Sequence, residues 1–274
     1  MRRQNYRTRA VILSVLLLVI LMAIYLSGIF ITEDMILGSF LEAKLPPDFQ
    51  HFFGTDALGR DLFLRTLKGL SVSITIGLAA SFISGIIAVL VGIGVACGSK
   101  KTEEAITWVI DLFMGIPHIV LIMLISFALG RGFWGVLIGI SFTHWCGLAR
   151  VIRAEVLQLK SEPYVAISKK LGKSGSWIMV HHMLPHLTGQ ILVGLILMFP
   201  HAVLHEASLS FLGFGLSPEQ PAIGIILAES MRYLSTGMWW MAVLPGLLLV
   251  ILVLLIDKLG HLLRIIWDPY SSQG

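Results

Sequence analysis

Two histidines four residues apart, His201 and His205, stand in the apolar segment MFPHAVLHEAS. Residues at this spacing share one face of a helix, so their imidazoles could chelate a borderline cation such as nickel, zinc or copper. Met198, one turn before His201, offers a soft thioether, and Glu206 is adjacent to His205. The spacing fits a hydrogen-bonded lining equally well, because any two helical residues four apart satisfy it. We take His201 and His205 as candidate metal ligands, and all four side chains as candidate pathway residues.

A second group of polar residues forms the stretch SEPYVAISKKLGKSGSWIMVHHMLPHL, residues 161–187. It contains LGKSGS, which ends like a phosphate-binding loop, but the full pattern requires glycine at position 167, where this chain has Ile167. No strand is expected before it either, so nucleotide binding by this chain is not predicted. Three histidines also cluster in the stretch. Pro185 disturbs the helical face between them, which favours contact with a protein partner over a metal site.

The composition of the chain is unusually apolar, and it indicates which kind of secondary structure carries these polar residues. Of the 274 residues, 56% are hydrophobic and only 13% are charged. A soluble domain carries about a quarter charged residues, so most of this chain is adapted to a lipid bilayer. The apolar runs are continuous and lack the alternation of membrane strands, which predicts an all-α, polytopic membrane protein. Six runs are long enough to span a bilayer of about 30 Å: residues 10–30, 71–97, 106–129, 134–151, 187–204 and 238–256.

The distribution of lysine and arginine orients these spans. Placing the N-terminus in the cytoplasm puts most of the 20 basic residues inside, Arg2, Arg3 and Arg7 among them. Both termini are then cytoplasmic, and the first run is a retained anchor, because roughly 21 apolar residues exceed a signal-peptide core. The predicted domains are an anchor helix with an external segment, residues 1–70, and a transmembrane domain, residues 71–274. The basic residues flank the spans without an interleaved aromatic patch, so nucleic-acid binding is not expected.

In this topology residues 161–187 lie in the cytoplasm. Helical periodicity predicts a helix from Tyr164 to Leu171, and Gly172 permits a left-handed turn at its end. A second short helix starts near Ser174 or Ser176 and is stopped or bent by Pro185. Such a segment presents apolar and basic residues to water, which favours docking into a groove on a cytoplasmic partner. The alternative is a helix that lies on the anionic headgroups of the membrane surface. The candidate partner contacts are Tyr164, Ile167, Lys169, Lys170, Leu171, Gly172, Trp177, Leu184 and Pro185.

Other polar residues interrupt the apolar pattern. His144, in SFTHWCGLAR of the fourth run, is a further candidate pathway residue, because polar groups within a membrane are costly and mark function by default. In DLFMGIPHIV, Pro117 is expected to bend the third run, and His118 to bond a carbonyl freed at the bend. The external segment carries FGTDALGRDLFLR, whose two aspartates and two arginines are spaced to pair as a solvated, self-neutralising cap.

These motifs resemble the inner-membrane permease subunits of bacterial ATP-binding-cassette (ABC) importers, in the branch for dipeptides, oligopeptides and nickel. FGTDALGRDLF before the second run and EASLSFLGFGLSPEQP after the fifth resemble two signatures of that branch. Residues 161–187 resemble the family's EAA loop. Gly172 and the pair Leu184–Pro185 match its pattern, whereas Ala166, Ile167 and Ser168 stand where the glutamate and two alanines would be.

The resemblance implies a type I importer permease fold, with six transmembrane helices and a cytoplasmic coupling helix that sits in a cleft on an ATPase subunit. It implies four kinds of neighbour in a bacterial inner membrane: a second homologous permease, two ATPase subunits, an extracytoplasmic substrate-binding protein and membrane lipid. ATP and Mg would be bound by the ATPase subunits. This chain is then not an enzyme and binds no cofactor, in agreement with the lack of any motif for a nucleophile, a base and an orienting group.

The same resemblance suggests a cargo. The residues around His144 and His205 look more like nickel permeases than like peptide permeases, so nickel or a nickel chelate is the expected cargo. The histidines would make transient contacts, because a conduit that binds its cargo tightly cannot release it. Import of dipeptides or oligopeptides is the alternative. A secondary transporter driven by ions would need buried carboxylates and inverted repeats, and the sequence offers only Glu206 near the end of a span.

Overall fold

The computed structural model describes the backbone of residues 2–267 and the side chains of residues 8–266. Residues 268–274, which end the predicted transmembrane domain, lie outside the described residues. So do three side chains that entered the predicted orientation, those of Arg2, Arg3 and Arg7.

Helices account for most of the described chain. They are α1 (Arg2–Phe30), α2 (Leu62–Cys97), α3 (Lys100–Gly115), α4 (His118–Ala128), α5 (Gly132–Lys160), α6 (Pro163–Lys170), α7 (Gly175–Ile178), α8 (Leu184–Phe211), α9 (Ile223–Leu234) and α10 (Trp240–Trp267). A π-helical turn, Met179–Met183, joins α7 to α8, and two short 3-10 turns, Asp34–Ile36 and Phe40–Glu42, follow α1. The predicted all-α class is therefore confirmed.

Five apolar helices of this range are long enough to cross a membrane, and the pair of α3 and α4 supplies a sixth if it is counted as one broken span. Each of the six predicted runs coincides with one of these spans. The third is not continuous, because α3 and α4 meet at an angle of 96°. Ile116 between them is extended, as the residue before Pro117 prefers to be, so the helix has to end there.

At the centre of the bundle, α2 packs against α1, α5 and α8. Glycines on α2 let these helices approach closely, as is common between helices in membranes. A side chain at Gly92 would lie 2.9 Å from the carbonyl oxygen of Ala149 on α5, and one at Gly77 would lie 2.7 Å from Val203 on α8. The positions of α5 and α8 are thus fixed relative to each other through α2.

The N-terminal helix belongs to the same bundle. α1 packs against α2 and α10, and Leu17 is buried with Leu259 and Leu262 between α1 and α10. The boundary predicted between residues 70 and 71 falls inside α2, which begins at Leu62 because the side chain of Asp61 caps it. One continuous helix therefore runs through the predicted division between residues 70 and 71.

Candidate functional site

The bend between α3 and α4 sets the position of His118. The carbonyl of Pro117 accepts hydrogen bonds from the amides of Val120 (2.9 Å) and Leu121 (3.2 Å), so a new helix starts at once. This new helix, α4, packs along α5 and has His118 in its first turn. Pro117 was expected to bend the span, and the sharpness of the bend brings a histidine against a neighbouring helix.

Three histidines from three helices meet beside this bend: His118 of α4, His144 of α5 and His205 of α8. The ring centroids are 4.6 Å apart for His118 and His144, 4.9 Å for His118 and His205, and 5.1 Å for His144 and His205. Each ring is half-buried, and one ring nitrogen from each lies within 4.8 Å of the others. We call this group the three-histidine cluster.

The orientation of His144 in the cluster is set by its own helix. Its Nδ1 lies 3.0 Å from the carbonyl oxygen of Ile140, one turn earlier on α5. Since a carbonyl oxygen only accepts, Nδ1 carries the proton and Nε2 keeps its lone pair. Nε2 is buried and has no hydrogen-bond partner in the described part of the chain. A buried acceptor without a partner is costly, so this atom is chemically available.

The predicted pathway residues of α8 have different surroundings. His205 belongs to the three-histidine cluster, whereas His201 is exposed and outside that group. Met198 is half-buried and packs against the apolar core around α5. A metal held by His201 with His205 therefore stays a prediction, while the structure brings His205 together with His118 and His144. No spacing rule links residues on three helices, so the sequence did not predict that these three histidines meet.

Glu206 is a further predicted pathway residue, and the structure buries it completely. Its carboxylate accepts hydrogen bonds from the hydroxyls of Ser73 on α2 and of Ser210 (2.8 Å) on its own helix. The Ser210 hydroxyl also accepts from the amide of Leu216, beyond the end of α8. In this structure Glu206 holds α8 to α2 and does not face open space.

The predicted cytoplasmic element, residues 161–187, begins with a helix and a turn, as expected. Gly172 follows α6 with a φ of +78°, a left-handed conformation that glycine adopts without strain. The Lys173 amide closes the turn by donating to the carbonyl of Ser168 (3.1 Å). The Ser174 hydroxyl then accepts from the amide of Trp177 (3.2 Å) and caps α7. We call residues 161–187 the coupling element.

Pro185 does not stop the second helix, which was one of the two outcomes predicted for it. From Gly175 the chain continues to Phe211 as one apolar helix of 37 residues. Pro185 stands in the first turn of α8, directly after the π-helical turn Met179–Met183. That wider turn leaves room for the proline ring, which a regular helix interior would not. The second helix of the coupling element is therefore the start of the fifth span.

The coupling element has one anchored side and one open side. Val165, Ile178 and Met183 are buried in the same apolar core as Val156 and Leu159 of α5. On the open side, the exposed fractions are 57% for Ile167 and 73% for Leu171. The basic residues among the predicted contacts, Lys169 and Lys170, are exposed as well, as is Pro185, whereas Tyr164, Trp177 and Leu184 are half-buried.

Aromatic packing accounts for the histidines of the coupling element. The rings of Trp177 and His181 are stacked, with centroids 4.4 Å apart and planes 10° apart. Tyr164 contacts His182 edge-on at 5.6 Å and His186 at 6.1 Å. These contacts join α6 to the helix that follows, and the role of this segment in contacting a protein partner stays a prediction.

Near the N-terminal end of α2, four charged residues form a network. Asp56 accepts from Arg60 (2.6 Å) and from Arg65 (2.5 Å), and Glu229 of α9 accepts from Arg65 (3.0 Å) and from Arg60 (3.2 Å). A solvated cap was predicted, but Arg65 is only 2% exposed. Asp61, expected in the same cap, contacts His51 (2.7 Å). Glu229 was missed because it lies far along the chain.

Comparison with known proteins agrees with this architecture. Residues 88–263 match the family described as the binding-protein-dependent transport system inner membrane component. A protein of Brucella suis biovar 1, named for a peptide transport system permease, is 34% identical over 98% of this chain and 89% of its own length. In Bacillus subtilis, the oligopeptide transport system permease protein OppC is 33% identical over 98% of this chain and 88% of its own. The dipeptide transport system permease protein DppC, also of Bacillus subtilis, is 32% identical over 94% of this chain and 80% of its own length.

A solved structure of the MetNI methionine ABC transporter, in an inward-facing conformation, has the same fold. Its similar chain aligns with a TM-score of 0.62 and 19% identity over 75% of this chain and 97% of that one. In this family ATP hydrolysis is carried by separate subunits, so the chain is not an enzyme. The three relatives are named for peptides, and the predicted closeness to nickel permeases is not confirmed. The chain belongs to the inner-membrane components of binding-protein-dependent transport systems, as a multi-pass permease subunit of the peptide family of ABC importers.

Proposed function

We propose that this chain forms half of the pathway through which an ATP-driven importer takes up dipeptides or oligopeptides. The observation that supports a peptide cargo is the likeness to two named peptide permeases, of which OppC aligns with 98% of this chain. Six spans are too few to enclose a wide pathway, so a second, homologous permease would supply the other half. An extracytoplasmic protein would deliver the cargo, and two ATPase subunits would hold ATP and Mg.

The coupling element is proposed as the docking site for one ATPase subunit. Its exposed Ile167 and Leu171 offer apolar anchors, and Lys169 and Lys170 add positive charge beside them. Such a surface fits a groove with an apolar floor and an acidic rim. Because the opposite side is packed into the core of α5, movement of the ATPase would be transmitted as a rigid-body push. This docking requires the coupling element and both termini to be cytoplasmic.

A metal cargo is a second candidate, which the three-histidine cluster favours. His118, His144 and His205 place imidazole nitrogens close together within the bundle, and imidazole suits nickel, copper and zinc. Nickel or a nickel chelate therefore stays the alternative to peptide.

Uptake measurements separate the two cargoes. In a strain that lacks this permease, complementation with the gene should restore accumulation of a labelled dipeptide or oligopeptide. The control is a plasmid that carries the Gly172→Trp variant, expected to be inactive although membrane-inserted. Restored accumulation of radioactive nickel without any gain in peptide uptake would reject the peptide proposal and support the second candidate.

A further inference from the structure

We propose that the three-histidine cluster binds one divalent transition-metal ion, of the borderline class to which nickel, zinc and copper belong. The ligands are single ring nitrogens of His118, His144 and His205, from α4, α5 and α8. A resident ion at this site is compatible with a peptide cargo, so the inference goes beyond the proposed peptide function.

The distances between the nitrogens suit such an ion after a small adjustment. In a tetrahedral site with bonds of about 2.1 Å, neighbouring ligand atoms are about 3.4 Å apart. The three nitrogens lie within 4.8 Å of one another without an ion. Side-chain rotations that move each nitrogen by less than about 1 Å close this gap. The three rings are edge-on or tilted to one another and none of the three pairs is stacked.

His144 is already prepared as a ligand. Histidines that bind metals nearly always donate their other ring N–H to a carbonyl or carboxylate, which fixes the ring and the tautomer. The hydrogen bond from Nδ1 to the carbonyl of Ile140 is such a bond. It leaves Nε2 as a buried lone pair without a partner in the described residues. A metal ion bound at Nε2 would satisfy this nitrogen.

The donor set determines which ions fit. The convergent ligand atoms found in the described chain come from histidines only, and three neutral nitrogens attract magnesium and calcium poorly. Glu206, the nearest carboxylate in sequence to His205, is held by Ser73 and Ser210 and does not join the site. Three protein ligands leave a fourth position open for water or for a donor atom of a passing cargo. An open position also favours exchange of the ion over permanent retention.

Direct metal titration tests this proposal. The intact complex of this permease with its partner subunits is purified with a tag that contains no histidine, stripped with a chelator and titrated with cobalt(II). Visible absorption of cobalt reports a site with nitrogen ligands, and displacement by zinc gives the affinity for zinc. We expect one ion per copy of this chain. We also expect His144→Ala and His205→Ala each to weaken binding at least tenfold.

His261→Ala is the matched control, because His261 is an exposed histidine on α10 that lies outside the cluster, 3.8 Å from Asp257. It should bind cobalt as the parent does. ATPase activity of each purified complex shows that the variants are folded and assembled. Absence of cobalt absorption in the parent, or equal affinity in His144→Ala, His205→Ala and His261→Ala, would overturn the proposal. Because peptide uptake is measured separately, neither result bears on the peptide proposal.

Discussion

At the scale of single residues, Arg65 shows how this chain tolerates charge. Burying a guanidinium costs several kcal/mol unless carboxylates compensate it. Asp56 supplies most of that compensation, since it accepts hydrogen bonds from Arg65, from the Arg60 side chain and amide, and from the amide of Leu58. Glu229 completes the arrangement from α9. The network therefore ties the segment before α2 to the helix that precedes the last span.

We expect Asp56→Asn to destabilise the protein by about 3 kcal/mol, because removal of one partner leaves a buried charge uncompensated. The midpoint of thermal unfolding of the purified protein in detergent measures the change. The control is Asp257→Asn, which alters an exposed carboxylate whose pair with His261 is long, at 3.8 Å. That variant should lie within about 0.5 kcal/mol of the parent. Equal unfolding midpoints for the two variants would mean that Arg65 does not need its buried partner.

At the scale of elements, the sequence predicted turns, caps and bends correctly where these depend on residues adjacent in the chain. The turn at Gly172, the cap at Ser174 and the bend at Pro117 were all predicted, because each follows from the backbone preference of one residue. Pro185 was expected to stop or bend the second helix, but the helix continues past it. This outcome depends on the preceding π-helical turn, which the sequence does not predict. The three-histidine cluster depends on how three helices pack. Each of its histidines was noted in the sequence, but their proximity was not predicted.

We expect Gly172→Trp to reduce uptake at least tenfold while the protein still inserts and assembles. Space around Gly172 is open, so a tryptophan fits this chain and interferes with whatever docks there. Gly237→Trp is the control, because Gly237 also has positive φ (+86°) and open surroundings but lies between α9 and α10. Both variants carry similar backbone strain. If both variants, or neither, abolish uptake, the coupling element has no special role in docking.

At the scale of the whole molecule, composition and charge determined most of the architecture in advance. Six apolar runs predicted the spans, and the packed bundle confirmed them with one span broken. The division of the chain into residues 1–70 and 71–274 stays a prediction, and the packing of Leu17 on the last helix is not visible in the sequence. Orientation stays a prediction from the positive charges, and the long helix from Gly175 to Phe211 provides a direct way to test it.

Ser176 and Ser217 are exposed and lie near opposite ends of that helix. In a background with Cys97→Ser, which removes the exposed native thiol, we introduce Ser176→Cys or Ser217→Cys. A maleimide that cannot cross membranes should label Ser217→Cys in intact cells. It should label Ser176→Cys only after the cells are permeabilised. The reverse pattern would invert the proposed topology and remove the coupling element from the cytoplasm.

The same helix has a mechanical consequence. Ser176 and His205 lie on one helix, about 44 Å apart at 1.5 Å per residue. Near His205 this helix packs closely on α2, where Gly77 faces Val203, and α2 packs in turn on α5. A push on the coupling element is therefore expected to displace α2, α5 and α8 together, so that an ion held by the three imidazoles would move with the bundle.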